Sequence, residues 1–244
     1  MFDRIAHRYD FLNRFLSAGQ DVGWRKTMAR HLPAGEDLYL LDLATGTADQ
    51  IIFLRKASSR IAQADGMDLS EGMLEFGREK IARLGWSDQV SLREGNTIEI
   101  PSEDEKYDVV TISFGIRNVT DVDQGLREML RVLKPGGRAL ILECSVPENR
   151  MVRGFYLFYF RYVLPKVGGL VSGDSYAYNY LNKTVETFPC GQAFCDLMTK
   201  AGFENVKRRR LTFGIATIYQ GDRSEHLECS RQGSQLDEGE HPKP

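Results

Sequence analysis

Leu38-Tyr-Leu-Leu-Asp-Leu-Ala-Thr-Gly-Thr-Ala-Asp49 is the stretch whose reading decides the fold. Its first six residues form a short apolar run of the kind that makes a buried strand. Ala44 to Ala48 is a turn of small residues, and Asp49-Gln-Ile-Ile-Phe-Leu opens a helix. Strand, small-residue turn and helix make the first unit of a doubly wound α/β domain, which binds its ligand beyond the carboxyl ends of the strands. Gly46, lacking a side chain, lets a nucleotide-type cofactor approach the backbone; an ordinary strand-to-helix turn without a ligand is the plainer alternative.

The missing glycines select the kind of cofactor. A dinucleotide fold uses G-x-G-x-x-G, with its second glycine against the pyrophosphate and its third at the helix–strand contact. Here the small positions are Ala44, Gly46 and Ala48. A ligand without phosphates, such as S-adenosylmethionine, makes fewer demands on the loop amides but still uses an acid one strand later for its ribose. Asp68 has that position, after the strand Ile61 to Met67 and before the helix that starts at Ser70. Asp42 and Gly46 complete the expected pocket.

Composition narrows the class. The 244 residues are 42% hydrophobic, enough for one large α/β domain, and the formal charge of -2 indicates no nucleic-acid partner. Apolar runs stay well below the ~20 residues of a membrane span. The first residues, MFDRIAHRYDF, carry charge where a secretory signal has its apolar core. Cys144, Cys190, Cys195 and Cys229 lack paired metal or redox spacing, and His7, His31, His226 and His241 are isolated. No metal site is expected, and the chain reads as cytoplasmic.

Apolar spacing predicts an amphipathic helix over Phe2 to Ser17 and a second helix over Asp21 to Leu32, together a helical cap (1–36) ahead of the first strand. A third strand near Val90 ends at Gly95-Asn96-Thr97, polar residues suited to an adenine ring. Tyr107 to Ser113 reads as the fourth strand, Asp121 to Leu133 as a helix, Lys134-Pro-Gly-Gly as a turn, and Arg138 to Glu143 as the fifth strand. An insert over 147–187 follows, rich in aromatics and arginine. It reads as a buried helix, as a lid over an apolar substrate, as a dimer interface, or as an interfacial helix against a membrane. Helices over Ser175 to Thr187 and Gly191 to Gly202 precede two closing strands, Asn205 to Leu211 and Ile215 to Gln220. One domain is thus expected over 1–221, with 222–244 a polar, disordered tail.

Three stretches together resemble the ubiquinone/menaquinone biosynthesis C-methyltransferase family, a branch of the class I S-adenosylmethionine-dependent methyltransferases. They are Tyr9 to Ser17 with Trp24, Thr111-Ile-Ser-Phe-Gly-Ile-Arg-Asn-Val-Thr120, and Arg131-Val-Leu-Lys-Pro-Gly-Gly-Arg-Ala-Leu-Ile-Leu-Glu-Cys-Ser145. The resemblance runs from about Phe2 to Gly221. It implies a Rossmann-like, seven-stranded, mostly parallel sheet with helices on both faces and a closing antiparallel strand. It also implies methyl transfer from S-adenosylmethionine to a ring carbon of a polyprenylated quinol, demethylmenaquinol or a methoxy-benzoquinol, with peripheral contact at the inner membrane face. The cofactor positions it implies are Thr47, Asp68, Asn96, Thr97 and Ser113. The chain departs from the family in having Leu12 for Met, Asp21 for His, and Thr45 and Ala48 in a loop commonly richer in glycine. Thr45 would be strained if the loop needed a positive φ there.

Carbon methylation needs a phenolate, hence a base or a positive charge beside the ring oxygen. Arg117, just beyond the fourth strand, is the first candidate, as an electrostatic partner or through a water, since an arginine stays protonated. Asn118, Tyr178 and Tyr180 are candidates for orienting the quinol hydroxyls. Three rivals remain at this level: a methyltransferase acting on another small apolar molecule, a nicotinamide-dependent oxidoreductase on a similar sheet, and a non-catalytic quinol- or lipid-binding relative.

Overall fold

The computed structural model describes residues 14, 17, 19–163, 184, 185 and 187–225. Apart from Arg14 and Ser17, the expected helix over Phe2 to Ser17 lies outside the described residues, as do Tyr178, Tyr180 and the tail beyond 225. In chain order the elements are α1 (Gln20–Met28), β1 (Leu38–Leu43), α2 (Asp49–Ala57), β2 (Ile61–Asp68), α3 (Glu71–Arg83), β3 (Val90–Glu94) and β4 (Tyr107–Ser113). They continue with α4 (Val122–Val132), β5 (Leu133–Cys144), α5 (Arg150–Phe158), α6 (Gln192–Lys200), β6 (Glu204–Leu211) and β7 (Ala216–Asp222).

The strands form one sheet in the order β3-β2-β1-β4-β5-β7-β6. The pairs from β3 across to β5 are parallel, and β7 runs antiparallel to both β5 and β6. Successive side chains of a strand point to opposite faces, and both faces are covered at the middle of the sheet, so β1 and β4 are buried almost throughout, whereas the edge strand β6 is mostly exposed. Leu40, Val109, Leu140 and Leu142 pack on one side with Met28, Ile51, Leu54 and Leu74. Leu41, Leu43, Val110, Ile112 and Ile141 pack on the other with Leu126, Met129, Val132 and Phe194. This sheet bears out the expected architecture, with β7 as its closing antiparallel strand.

Two local readings need correction. Lys134-Pro-Gly-Gly is not a free turn between helix and strand, because β5 already begins at Leu133. Leu133 pairs with Tyr107 and Arg138 with Val109, so the extra residues bulge out of the ladder between these pairs, with Gly136 at φ 75°. The ordered chain also passes residue 221. Arg138 holds the Asp222 carboxylate at 2.6 and 3.1 Å, and Arg223 donates to the carbonyls of Leu130, Arg131 and Leu133. These carbonyls lie at the end of α4, where no further helical turn supplies donors; that of Arg131 also accepts the Glu105 N–H at 3.1 Å. A second Arg223 nitrogen bonds Glu105 at 2.6 Å.

The strand order reverses between β1 and β4, and at such a point the loops leaving the two strands part in opposite directions and open a crevice. Gly115, just past β4, keeps that point tight: a Cβ there would stand 2.6 Å from the Ala44 Cβ.

Candidate active site

Four strand ends converge on the crevice. A cleft of about 220 Å³ is lined by Asp42 and residues 44–47 from β1, Asp68 and Leu69 from β2, Gly95, Asn96 and Thr97 from β3, and Ser113, Phe114 and Gly115 from β4. Arg25 of α1 and Asn118 of the turn Ile116–Asn118 complete its wall. The expected cofactor residues Asp42, Gly46, Thr47, Asp68, Asn96, Thr97 and Ser113 are therefore brought together.

The loop conformation follows from its alternation of residues. Ala44, Gly46 and Ala48 have φ of 47°, 55° and 63°, while Thr45 and Thr47 do not enter the left-handed region. The strain expected at Thr45 falls instead on Ala44 and Ala48, each at a conformation that costs an L-residue roughly 1–2 kcal/mol. Thr45 is comfortable: its hydroxyl donates to the Asp42 carboxylate at 2.7 Å.

Asp68 ties this loop to the next strand. One carboxylate oxygen accepts the Gly46 N–H at 2.8 Å, and the other accepts the Ser70 N–H at 2.9 Å. Asp42 lies deeper, accepting the hydroxyls of Thr45 and Thr111, the latter at 2.5 Å. Burial pushes its carboxyl up to about 6, partly opposed by the two hydroxyl bonds and by Arg25. The Ser113 hydroxyl donates to Gln50 Oε1 at 2.9 Å, and Lys80 reaches both Thr47 and Asp49, at 2.8 and 2.7 Å.

The site also contains residues that sequence reasoning missed. Arg25 is buried beside Asp21, with its guanidinium 5.3 Å from the Phe114 ring centroid. Asp21 accepts the Ser17 hydroxyl at 2.8 Å and faces Arg25. Phe114 has a positive φ of 58° and tilts against Trp24, whose indole donates to Thr212. Leu69 is two-thirds exposed at the cleft mouth, an apolar surface beside the Asp68 carboxylate. Arg117 does not line this cleft; its guanidinium pairs with the buried Glu143. The adjacent Asn118 does line it.

Large apolar side chains are exposed on α5 and on the β6–β7 turn. Met151, Phe155 and Phe158 of α5 are exposed, as is Tyr162. Phe213 is 84% exposed on the β6–β7 turn, where Thr212, Phe213 and Gly214 all have positive φ. The Gly214 carbonyl accepts from Ser145 at 2.9 Å, which sets the turn against the segment leading into α5.

A sheet of this order with an acid-gripped loop after its first strand defines a class I S-adenosylmethionine-dependent methyltransferase. The particular family follows from comparison, since the ubiE/COQ5 methyltransferase family model matches residues 1–223 and the chain belongs to that family. It is 46% identical over 223 residues to the ubiquinone/menaquinone biosynthesis C-methyltransferase UbiE of Geobacter sulfurreducens, covering 91% of this chain and 87% of the relative. It is 41% identical over 219 residues to the demethylmenaquinone methyltransferase of Bacteroides fragilis, covering 90% and 89%. Its fold matches the chain solved with the Trm112 methyltransferase activator of Haloferax volcanii, at a TM-score of 0.66 and 17% identity over 92% and 98% of the two chains.

Ala44 offers a direct test of the loop reading, because it is only partly buried. Glycine relieves roughly 1–2 kcal/mol of left-handed strain and gives back about 0.4–1 kcal/mol through a looser unfolded chain. Ala44→Gly is therefore expected to raise the melting temperature by roughly 1–4 °C in thermal unfolding. A lower melting temperature would show that the alanine methyl contributes packing that outweighs the strain.

Proposed function

We propose that this protein transfers a methyl group from S-adenosylmethionine to a ring carbon of a polyprenylated quinol, converting demethylmenaquinol to menaquinol. The observation that carries this reading is the convergence of Asp42, Asp68, Asn96, Thr97 and Ser113 on one cleft, with the Arg117–Asn118 turn at its edge. Relatives at 41–46% identity carry names of quinone C-methylation, which supports the substrate class.

The cleft suits the donor on its own chemistry. Asp68 is the acceptor for ribose hydroxyls, Asn96 and Thr97 supply polar atoms for adenine, and Leu69 offers an apolar face to the base. Arg25 supplies positive charge for the donor's carboxylate, and the N-terminus of α2 adds its partial positive charge. Asp42, ionised above about pH 6, supplies negative potential for the donor's cationic end. When bound, S-adenosylmethionine supplies a methyl group already attached to a good leaving group. The protein's task is then geometry and a nucleophilic carbon. Holding the reactants aligned contributes on the order of 7–11 kcal/mol. The Arg117 guanidinium stabilises the phenolate that makes the ortho carbon electron-rich, and Asn118 orients the ring oxygen. Tyr178 is a further orienting candidate.

The quinol carries a prenyl tail that partitions into lipid, and the exposed face of α5 with Phe213 meets the demands of that phase. Arg150 and Arg153 are exposed and α5 contains no acid, so the face suits an anionic bilayer surface. No described helix is long and apolar enough to cross a membrane.

Asp68→Ala is expected to weaken donor binding in calorimetry by about 10–100-fold, the loss of bonds to a charged acceptor. Arg117→Ala should instead slow single-turnover methylation by about 10²–10³-fold with donor affinity within about twofold, as removal of one charge-stabilising donor does. Unchanged chemistry in the arginine variant would remove Arg117 from the mechanism. Mass spectrometry of the product from each demethyl quinol identifies the ring, and turnover of the benzoquinol alone would replace the naphthoquinol assignment. Sedimentation with phosphatidylglycerol vesicles at low salt tests the lipid contact. Binding that Phe155→Ser with Phe213→Ser reduces about tenfold is expected, at roughly 1.5–3 kcal/mol per buried side chain as an upper limit. Absence of wild-type binding contradicts it.

A further inference from the structure

Glu143, at the end of β5, has almost no solvent contact to justify its charge: it is 1% exposed, next to Leu142 along the strand. Burial pushes its carboxyl above the usual range, opposed first by the Arg117 charge. One oxygen, Oε1, accepts from the Arg117 guanidinium and from the Cys144 N–H at 2.7 Å. Among the described residues, the second oxygen, Oε2, is buried without a hydrogen-bond partner. The Arg117 side chain is itself only 10% exposed.

An ion pair this deep is not explained by stability. Desolvating two charges offsets most of their attraction, and an apolar pair of equal volume is often as stable or more so. What the pair does is fix a place. Glu143 holds the Arg117 guanidinium, and with it the turn that carries Asn118 into the cleft wall. It grips through one oxygen only, which leaves a buried acceptor vacant beside the guanidinium. Among the described residues, the titratable groups acting on this carboxylate are Arg117 and Cys144, whose thiol burial pushes up to about 12; β7 presents Thr217 opposite Glu143.

We propose that Glu143 is the positioning residue for Arg117, its ionised carboxylate holding the guanidinium and the Ile116–Asn118 turn in the arrangement that methyl transfer uses. The proposal rests on the quinol reading for the role of Arg117, and it adds a pH consequence. An ionised Glu143 clamps; a protonated one releases the guanidinium. With the folded carboxyl raised, the clamp forms as pH rises through that value, so the rate carries an acid limb displaced upward from an ordinary glutamate.

The test compares wild type with Glu143→Gln, which keeps shape and removes charge. Expected are a single-turnover rate lower by about 10–100-fold, the scale of one hydrogen bond to a charged group, an unchanged donor dissociation constant, and loss of the acid limb. A second readout needs neither donor nor quinol. In protein with ¹⁵N-labelled arginine, a slowly exchanging guanidinium resonance, identified as that of Arg117 by its absence in Arg117→Lys, is expected in wild type and absent from Glu143→Gln. Glu143→Asp, which keeps the charge, should restore the limb in part. A variant as fast as wild type, with the acid limb intact and the resonance retained, overturns the proposal. So does a variant that merely melts earlier with its pH profile unchanged. A wild-type protein that methylates no quinol sinks the functional reading instead, while the resonance still reports whether Glu143 holds Arg117.

Discussion

A single carboxylate joins the two halves of the site. Asp68 accepts the N–H of Gly46 from the loop after β1 and the N–H of Ser70 from the start of α3. Without it, two backbone donors in a partly buried loop would lose their acceptor, and each such loss costs roughly 1–3 kcal/mol. With it, the crook of the loop, the end of β2 and the N-terminus of α3 form one unit. The acid that suits a ribose is therefore also the acid that shapes the loop around it. Function and local stability are carried by the same atoms.

The remainder of the cleft has the same economy. Asp42 is buried under the loop and held by two hydroxyls, one from the loop itself and one from β4 across the reversal of strand order. Ser113 and Arg25 meet at Gln50 of α2, at 2.9 and 3.4 Å. Strands β1 and β4, helix α1 and helix α2 are thus linked through side chains that also face the cleft or back it. A fold shared across unrelated chemistries does not define a reaction; these linked side chains, together with family membership, do most to narrow it here.

Much of this was legible in the sequence, for identifiable reasons. Leu38 to Leu43 and Tyr107 to Ser113 are largely apolar runs bounded by polar or turn residues, and burial on both faces leaves little freedom in placing them. Asp68 could be singled out because an acid closing the second strand faces the crevice in this topology. Other features depended on distances that no local pattern encodes. The Lys134 to Gly137 bulge arises from register against β4, which only pairing reveals. Arg223 looked like the start of a polar tail, yet its partners are carbonyls some ninety residues earlier. Arg25 and Phe114 meet across the core as a cation over a ring, between a helix and a strand end that the sequence places far apart. The loop strain was expected at Thr45 and lies at Ala44 and Ala48, because backbone sign alternates along the loop while the residue pattern showed only which positions were small.

The central claim is that the donor lies in the crook after β1 with its sugar on Asp68. A crystal structure of the protein with S-adenosylhomocysteine, the demethylated donor, tests it most directly. Both ribose hydroxyls are expected within hydrogen-bond distance of the Asp68 carboxylate, with the Gly46 N–H bond retained and adenine between Leu69 and the Asn96–Thr97 end of β3. A cleft left empty at saturating ligand, or a ligand seated away from Asp68, would contradict the account.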